Sequence, residues 1–337
     1  MGKRFKRILP VLLCLLLLGC AEETVPPQTT AATVQVTTEA PAAATAEPST
    51  EPVTVDAEAE AEVMDEAPLP VAVVPEAEAT GAWEERCDAA VIDYSNTGDG
   101  YVMVRYLVSS ESRLKVLVKG PTTTYSDNLP VDIWSVFPLS DGNGTYQIGV
   151  YQNTYESKYA KVIATTFDVT MADEFAPFLR PNQYVDYSQA TKAVATGLQI
   201  TAGLEAPLEK VAAVYDYVVT NFTYDKEKAA TVESGYLPVL DQVLEEKTGI
   251  CFDYAALMTA MLRSQEIPCK LVVGYAGEVY HAWISVWTEE NGWIDGVIFF
   301  DGHTWKRMDP TFASSGAGDA SIMDYIENGS YTAKYLY

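Results

Sequence analysis

The chain has 337 residues, of which 47 are acidic and 22 are lysine or arginine, so its net charge at neutral pH is −25. A surface this acidic repels nucleic acid and anionic lipid headgroups, and neither is expected as a binding partner. Hydrophobic residues make up 48% of the chain, which is ample for more than one folded core.

Residues 1–20 are typical of a secretory signal. Basic residues fill most of positions 3–7, a short apolar run occupies positions 8–18, and the run ends in Leu17-Leu18-Gly19-Cys20, which resembles a bacterial lipobox. An uncleaved transmembrane anchor is the less favoured alternative, because the run is short for a hydrocarbon core of roughly 30 Å. We predict cleavage before Cys20, lipid on its thiol, and a protein held on the extracytoplasmic face by that lipid alone.

Residues 21–80 are rich in alanine, threonine, proline and glutamate and contain no lysine or arginine. Such a segment cannot bury enough apolar surface to offset the entropy of ordering, so we predict a disordered acidic tether. A flexible chain of this length reaches on the order of 45 Å.

Residues 81–172 alternate between apolar and polar positions, as in the run Val102, Val104 and Tyr106. Glycine-rich turns separate these runs, which predicts a small antiparallel β-sandwich. The sandwich is expected either to bind substrate or to act as a spacer that packs on the following domain.

Residues 173–337 are predicted to form an α+β catalytic domain, with helices first and an antiparallel sheet afterwards. The linking residues 173–200 are expected to be helical or irregular. An apolar stripe at three- and four-residue spacing from Leu208 to Phe222 predicts the first core helix, and a second is expected near 239–246. A third helix begins at Cys251, and strands are expected at 270–274, 281–287, 293–300 and 304–308.

Three residues in this domain indicate acyl-transfer chemistry. Cys251 follows a glycine turn and opens a helix, where the partial positive charge of the helix N-terminus stabilises a thiolate. His281 lies in a predicted strand, and Asp309 precedes a proline after another strand. Each alone is more often structural, but together they supply a nucleophile, a proton carrier and an orienting carboxylate.

The region from about residue 204 to 313 resembles the transglutaminase-like core, a papain-like superfamily of thiol enzymes. The resemblance is carried by motifs in the family's order: Tyr215-Asp216-Tyr217, Phe222-Thr223-Tyr224-Asp225, Gly249-Ile250-Cys251, Leu262-Arg263-Ser264-Gln265-Glu266-Ile267-Pro268, Val273-Gly274-Tyr275, His281-Ala282-Trp283 and Asp309-Pro310-Thr311. It implies that Cys251 is the nucleophile, His281 the general base and acid, and Asp309 the residue that orients the imidazole.

The resemblance also implies an oxyanion donor upstream of the cysteine. Tyr236 and Gln242 are candidates, and the backbone N–H of Cys251 is the better supported donor. No cofactor and no metal site are expected, because the chain has only two histidines and no closely spaced cysteine pair.

The remaining cysteines leave an open question. Cys14 belongs to the signal, Cys20 carries the lipid and Cys251 is the nucleophile, which leaves Cys87 and Cys269 either as a disulfide or as two free thiols.

The expected substrates are peptides or proteins of the cell envelope or its surroundings. Hydrolysis of an amide is favoured, because the space outside the cytoplasm is aqueous and the sequence shows no dedicated site for an amine. One alternative is protein cross-linking through glutamine, for which Trp283, Trp287, Trp293 and Trp305 could wall an amine tunnel; ordinary strand packing is the simpler role for these tryptophans. The other alternative is a non-catalytic binding scaffold.

Overall fold

The computed structural model of the protein describes residues 71–295 and 330–337, and the backbone strands Ile298–Phe300 and Trp305–Arg307. Cys20, most of the predicted tether and Asp309 lie outside the described residues. Among the residues described, no helix combines the length and the apolar character needed to cross a bilayer.

Residues 71–80 fall within the range predicted as tether, and they contact the folded body without forming a helix or strand. The Val73 N–H donates to the Ser264 carbonyl at 2.8 Å, and the Gln189 amide donates to the Ala72 carbonyl at 2.8 Å. Ala72 is buried in the core. The final part of the predicted tether is therefore docked.

Antiparallel strands follow, as the alternating pattern predicts: β1 (Glu84–Arg86), β2 (Ala90–Asp93), β3 (Tyr101–Tyr106), β4 (Leu114–Lys119), β5 (Thr124–Asn128), β6 (Ser135–Pro138), β7 (Gly144–Tyr155) and β8 (Lys158–Val169). They form two four-stranded sheets, in the orders β1-β2-β3-β6 and β5-β4-β7-β8. In β4, Val116 and Val118 are buried whereas Lys119 is exposed, because successive side chains point to opposite faces. The predicted antiparallel β module before the core is confirmed.

The helical part of the core contains α1 (Lys192–Ile200), α2 (Pro207–Asn221), β9 (Thr223–Tyr224), α3 (Lys226–Thr231), α4 (Leu240–Glu246), β10 (Thr248–Gly249) and α5 (Cys251–Arg263). The sheet part contains β11 (Cys269–Ala276), β12 (Val279–Thr288), β13 (Gly292–Asp295), β14 (Ile298–Phe300), β15 (Trp305–Arg307) and β16 (Tyr331–Leu336). This order of helices followed by antiparallel strands confirms the predicted α+β class. The short helix α3 and the strand β16 are additions that the sequence pattern does not indicate.

The principal core sheet has the order β13-β12-β11-β16, with every pairing antiparallel. Helix α5 packs against β11 and β12 on one side and against α1, α2 and α4 on the other. Every residue of α5 from Asp253 to Arg263 is buried, which is the burial expected of a central helix.

Cys87 and Cys269 are both free thiols, which answers the open question against a disulfide. Cys269 lies at the start of β11, fully buried, where its thiol contacts the Thr259 hydroxyl at 3.5 Å. Burial raises the pKa of the Cys269 thiol to about 11, so this group stays protonated and behaves as a small core residue.

The β module and the α/β core share one continuous hydrophobic cluster. At their contact, the Tyr184 ring stacks on Tyr337 with 3.8 Å between centroids and lies 6.1 Å from Phe252. Because Phe252 directly follows Cys251, this aromatic cluster supports the start of α5.

Candidate active site

Cys251 is the first residue of α5, as the sequence predicts, and its side chain is half-buried. The two-residue strand β10 pairs in parallel with β9 and delivers the chain to this position. A Cβ on Gly249 would lie 2.8 Å from the Asp253 Cβ, so glycine is required there by the close approach of that side chain. Cys251 therefore belongs to the first helical turn, whose N–H groups have no acceptor within the helix and carry partial positive charge.

Asp253, two residues after Cys251, is fully buried at the same helix end. Its Oδ2 accepts hydrogen bonds from the Ile250 N–H at 2.8 Å and from the Lys228 ammonium at 2.7 Å. Its Oδ1 accepts the Tyr236 hydroxyl at 2.5 Å, and Lys228 also donates to that hydroxyl at 2.7 Å. One carboxylate thus caps α5 and binds two side chains from another segment.

The protonation states in this cluster follow from its contacts. Burial lowers the pKa of the Lys228 ammonium, but the hydrogen bonds to Asp253 and Tyr236 outweigh that effect and raise the pKa above its ordinary value. Burial, together with the hydrogen bond to Asp253, raises the pKa of Tyr236 to about 12. At neutral pH Lys228 is a cation and Tyr236 is a neutral donor.

His281 lies in β12 and is 4% exposed. Its ring centroid is 6.3 Å from that of Trp283 and 6.4 Å from that of Tyr331. Gly274 is its register partner in β11, and a Cβ there would lie 2.1 Å from the Thr332 carbonyl oxygen and 2.9 Å from the Trp283 ring. Gly274 therefore allows β16 and Trp283 to close around the histidine strand.

The fold brings the Cys251 helix and the His281 strand together, since α5 packs directly on β12. Tyr280, the neighbour of His281, interacts with Cys251: partial burial raises the pKa of Tyr280, and the charge on Cys251 adds to the rise. Asp309 lies outside the described residues, so its role stays a prediction.

Each of the two candidate oxyanion side chains donates a hydrogen bond to a carboxylate. The Tyr236 hydroxyl lies near the start of α5, but its one proton is donated to Asp253. Gln242 is exposed on α4 and donates to Glu246 at 2.8 Å. The backbone N–H of Cys251 stays the predicted oxyanion donor.

Two of the four tryptophans considered for an amine tunnel pack against the segment that links module and core. Trp287 lies 4.5 Å from Phe175, and Trp293 makes an edge contact at 5.4 Å with Phe178. Lys270 covers the Trp293 ring at 3.5 Å. Trp287 and Trp293 therefore have the packing role. The side chain of Trp305 lies outside the described residues.

Exposed apolar side chains lie at the β11–β12 turn beside the cysteine helix. Tyr275 and Tyr280 are 41% and 56% exposed and form an edge-to-face pair with centroids 5.5 Å apart, and Val279 is 59% exposed. Exposed apolar side chains of this kind can contact the side chains of a peptide.

Sequence reasoning missed Lys228 and Asp253. Asp253 had a signal, since an acidic residue three positions after Ile250 suits the helix-capping position. Lys228 had none, because it is 25 residues away from its partner. Within 71–295 and 330–337, no group of three or more histidine, cysteine or acidic side chains is arranged to hold a metal ion.

Residues 194–296 match the family model of the transglutaminase-like superfamily. The chain therefore contains a transglutaminase-like core, and the matched region includes Cys251 and His281. The matched region ends before Asp309.

Two curated relatives share part of the chain. The uncharacterized protein YebA of Bacillus subtilis is 28% identical over 188 residues, covering 47% of this chain and 24% of the relative. A protein-glutamine gamma-glutamyltransferase of Pseudomonas aeruginosa is 31% identical over 87 residues, covering 22% of this chain and 13% of the relative. The similarity thus spans a quarter or less of each relative's length.

Among solved structures, a candidate cysteine protease of Cytophaga hutchinsonii is similar to this chain at 18% identity and a TM-score of 0.34. The similarity covers 70% of this chain and 84% of that one. With so low a TM-score, the assignment of the core depends on the family model and on the order of its own helices and strands.

Proposed function

We propose that this protein is a thiol enzyme that cleaves or transfers the acyl group of an amide in peptides or proteins, with hydrolysis favoured. The observation that carries the proposal is the position of Cys251, at the first residue of a buried helix that packs on the strand of His281 within a transglutaminase-like core. A scaffold without catalysis has no need of a half-exposed thiol at that place.

In the proposed reaction, the Cys251 thiolate attacks the amide carbonyl carbon and forms a C–S bond. The backbone N–H of Cys251 donates to the oxyanion, and the His281 imidazolium protonates the departing amine as the C–N bond breaks. Asp309 orients the imidazole. Water then attacks the thioester and gives its proton to His281, and the free acid leaves as the C–S bond breaks, which restores the Cys251 thiolate and the His281 imidazolium.

An amine in place of water would give a cross-linked product, and this is the alternative outcome. The similarity to a protein-glutamine gamma-glutamyltransferase supports it. The packing of Trp287 and Trp293 against Phe175 and Phe178 favours hydrolysis, because it leaves these rings unavailable as tunnel walls.

The exposed Tyr275, Val279 and Tyr280 are proposed to contact the acyl donor. An apolar or aromatic side chain beside the scissile amide would bury surface against these residues and lower KM. Peptides of the cell envelope are the proposed substrate class.

The test offers a panel of glutamine and peptide-amide donors to the protein, with and without an excess of primary amine. We expect free acid or new peptide termini, faster for aromatic than for charged neighbours of the amide. Cys251→Ala should lower turnover by roughly 10⁴-fold or more, His281→Ala nearly as much, and Asp309→Ala less.

Cys87→Ala is the matched control, because Cys87 is also a half-buried free thiol but lies in the β module. It should leave turnover unchanged. Amine incorporation in place of hydrolysis would establish the cross-linking alternative. An absence of product across the panel, with no acyl-enzyme trapped on Cys251, would establish the scaffold.

The location is a separate proposal: a lipid on Cys20 holds the protein outside the cytoplasm. Cys20→Ala should abolish lipidation and either release the protein or leave the precursor uncleaved. Mass spectrometry of the membrane-bound wild type checks this, and an unmodified Cys20 there would rule out the anchor.

A further inference from the structure

Residues 226–237, here named the latch segment, contain α3 and the loop after it. Lys228 and Tyr236 are half-buried, and the other residues of the latch segment are exposed. Both half-buried side chains end at the same acceptor, the Asp253 carboxylate of α5. The latch segment is therefore fastened to the helix of Cys251 through one buried charge.

Capping of the helix does not by itself require this arrangement. The Ile250 N–H needs one acceptor at 2.8 Å, and the side-chain oxygen of an asparagine would serve as well as that of Asp253. A carboxylate adds a full negative charge in a site with 0% exposure. Such a charge is costly to bury unless a cation compensates it, and Lys228 at 2.7 Å is that cation.

The charge of Asp253 also affects the thiol. The carboxylate folds back to the N–H directly before Cys251, so it lies beside the first turn of α5, where the thiolate must form. Within a protein interior, screening between two charges is weak, and an uncompensated carboxylate would oppose a second negative charge on the sulfur.

We propose that Lys228, assisted by Tyr236, neutralises the buried Asp253 carboxylate and thereby keeps the Cys251 thiol reactive. Lys228 and Tyr236 are positioning residues, since they act through Asp253. The inference rests on the proposed function only in taking Cys251 as the nucleophile. It follows that withdrawal of the latch segment would slow the reactions of the thiol.

The experiment measures alkylation of Cys251 by iodoacetamide against pH in the full chain, with peptide mass spectrometry to distinguish it from Cys87 and Cys269. In Lys228→Met, the midpoint of the pH–rate profile should rise by about one pH unit, which slows alkylation about tenfold below the midpoint. Tyr236→Phe should shift the midpoint in the same direction by less. Lys226→Met removes an equal charge from an exposed position of α3 and should leave the profile unchanged.

A double variant separates charge from packing. Lys228→Met with Asp253→Asn removes both charges and keeps an acceptor for Ile250, so the midpoint should return close to that of the wild type. Lys228→Arg keeps a cation beside Asp253, so its midpoint should also lie close to that of the wild type. If Lys228→Met is too unstable to measure, Tyr236→Phe and the double variant carry the test.

A folded Lys228→Met protein with an unchanged profile would overturn the inference, as would a double variant whose shift persists. These results differ from a failure of the proposed function. That failure would appear in the wild type, as a Cys251 that reacts no faster than Cys87 at any pH.

Discussion

The two ends of α5 each bury a charged side chain completely, but they satisfy it with different partners. Asp253 at the first turn is held by the side chains of Lys228 and Tyr236. Arg263 in the last turn donates to three backbone carbonyls, those of Cys269, Arg180 and Tyr337, at 2.8, 2.7 and 2.6 Å.

Because backbone carbonyls hold Arg263, its end of α5 is structural. Because the side chains of Lys228 and Tyr236 hold Asp253, the other end is adjustable. The carbonyl partners of Arg263 come from β11, from the segment before α1 and from the residue after β16, so one side chain joins three parts of the chain. Apart from the Ile250 N–H, the partners of Asp253 are side chains on an exposed segment, and each can be changed without moving a backbone. Cys251 lies at the adjustable end.

Replacement of Arg263 should have the largest effect on stability. Arg263→Met would remove the guanidinium donor from three buried carbonyls, of which that of Tyr337 still accepts from the Leu271 N–H. We expect a loss of about 3–5 kcal/mol in the free energy of unfolding. Denaturant titration measures it, and Arg263→Lys should recover part of the loss. A cost below about 1 kcal/mol would contradict the structural role of this end.

Asp127 extends the comparison, because it is a buried carboxylate to which no lysine ammonium of the described residues is hydrogen-bonded. The Tyr184 hydroxyl donates to it, and burial raises the pKa of Asp127 to about 6. The folded state therefore binds this proton more tightly than the unfolded state. Its contribution to stability is full below about pH 4 and is lost as the pH rises through about 6.

Asp127→Asn should remove that pH dependence. Between about pH 4 and 7, the wild type should lose on the order of 2–3 kcal/mol of unfolding free energy relative to the variant. Urea titrations of both proteins at the two pH values provide the measurement, because other titrating groups cancel in the difference. If the unfolding free energies of the wild type and the variant changed equally with pH, the pKa of Asp127 would not be raised in the folded state.

Gly249→Ala should have the smallest effect of the three on stability. The new Cβ would lie 2.8 Å from the Asp253 Cβ and 3.0 Å from its Oδ2, so the capping carboxylate must shift, at a cost of about 1–3 kcal/mol. Alkylation of Cys251 should change along with stability in this variant. Gly203→Ala, at a glycine with open space around its Cβ position but a left-handed backbone, is a control for strain without a clash. If Gly203→Ala changed the reactivity of Cys251 as much as Gly249→Ala does, the contact with Asp253 would not be the cause of the change.

The local patterns of the sequence predicted much of the fold. The apolar stripe from Leu208 to Phe222 predicted α2, which the structure places at Pro207–Asn221, and the glycine turn predicted a helix start at Cys251. The expected strand at 293–300 is instead two strands, β13 and β14, in the described residues. Strand β16 has weak alternation and was not predicted, because it is stabilised by its pairing with β11.

By itself the sequence determined the α+β class, the β module and the placement of Cys251 and His281 on a helix and a strand. These depend on periodicity and on turns, which involve residues only a few positions apart. Only the tertiary structure decided that Lys228 reaches Asp253 across 25 residues and that Arg263 reaches Arg180 and Tyr337 across 83 and 74. Such partners are selected by the cost of leaving a buried charge unpaired, and that cost arises only when packing has removed the water.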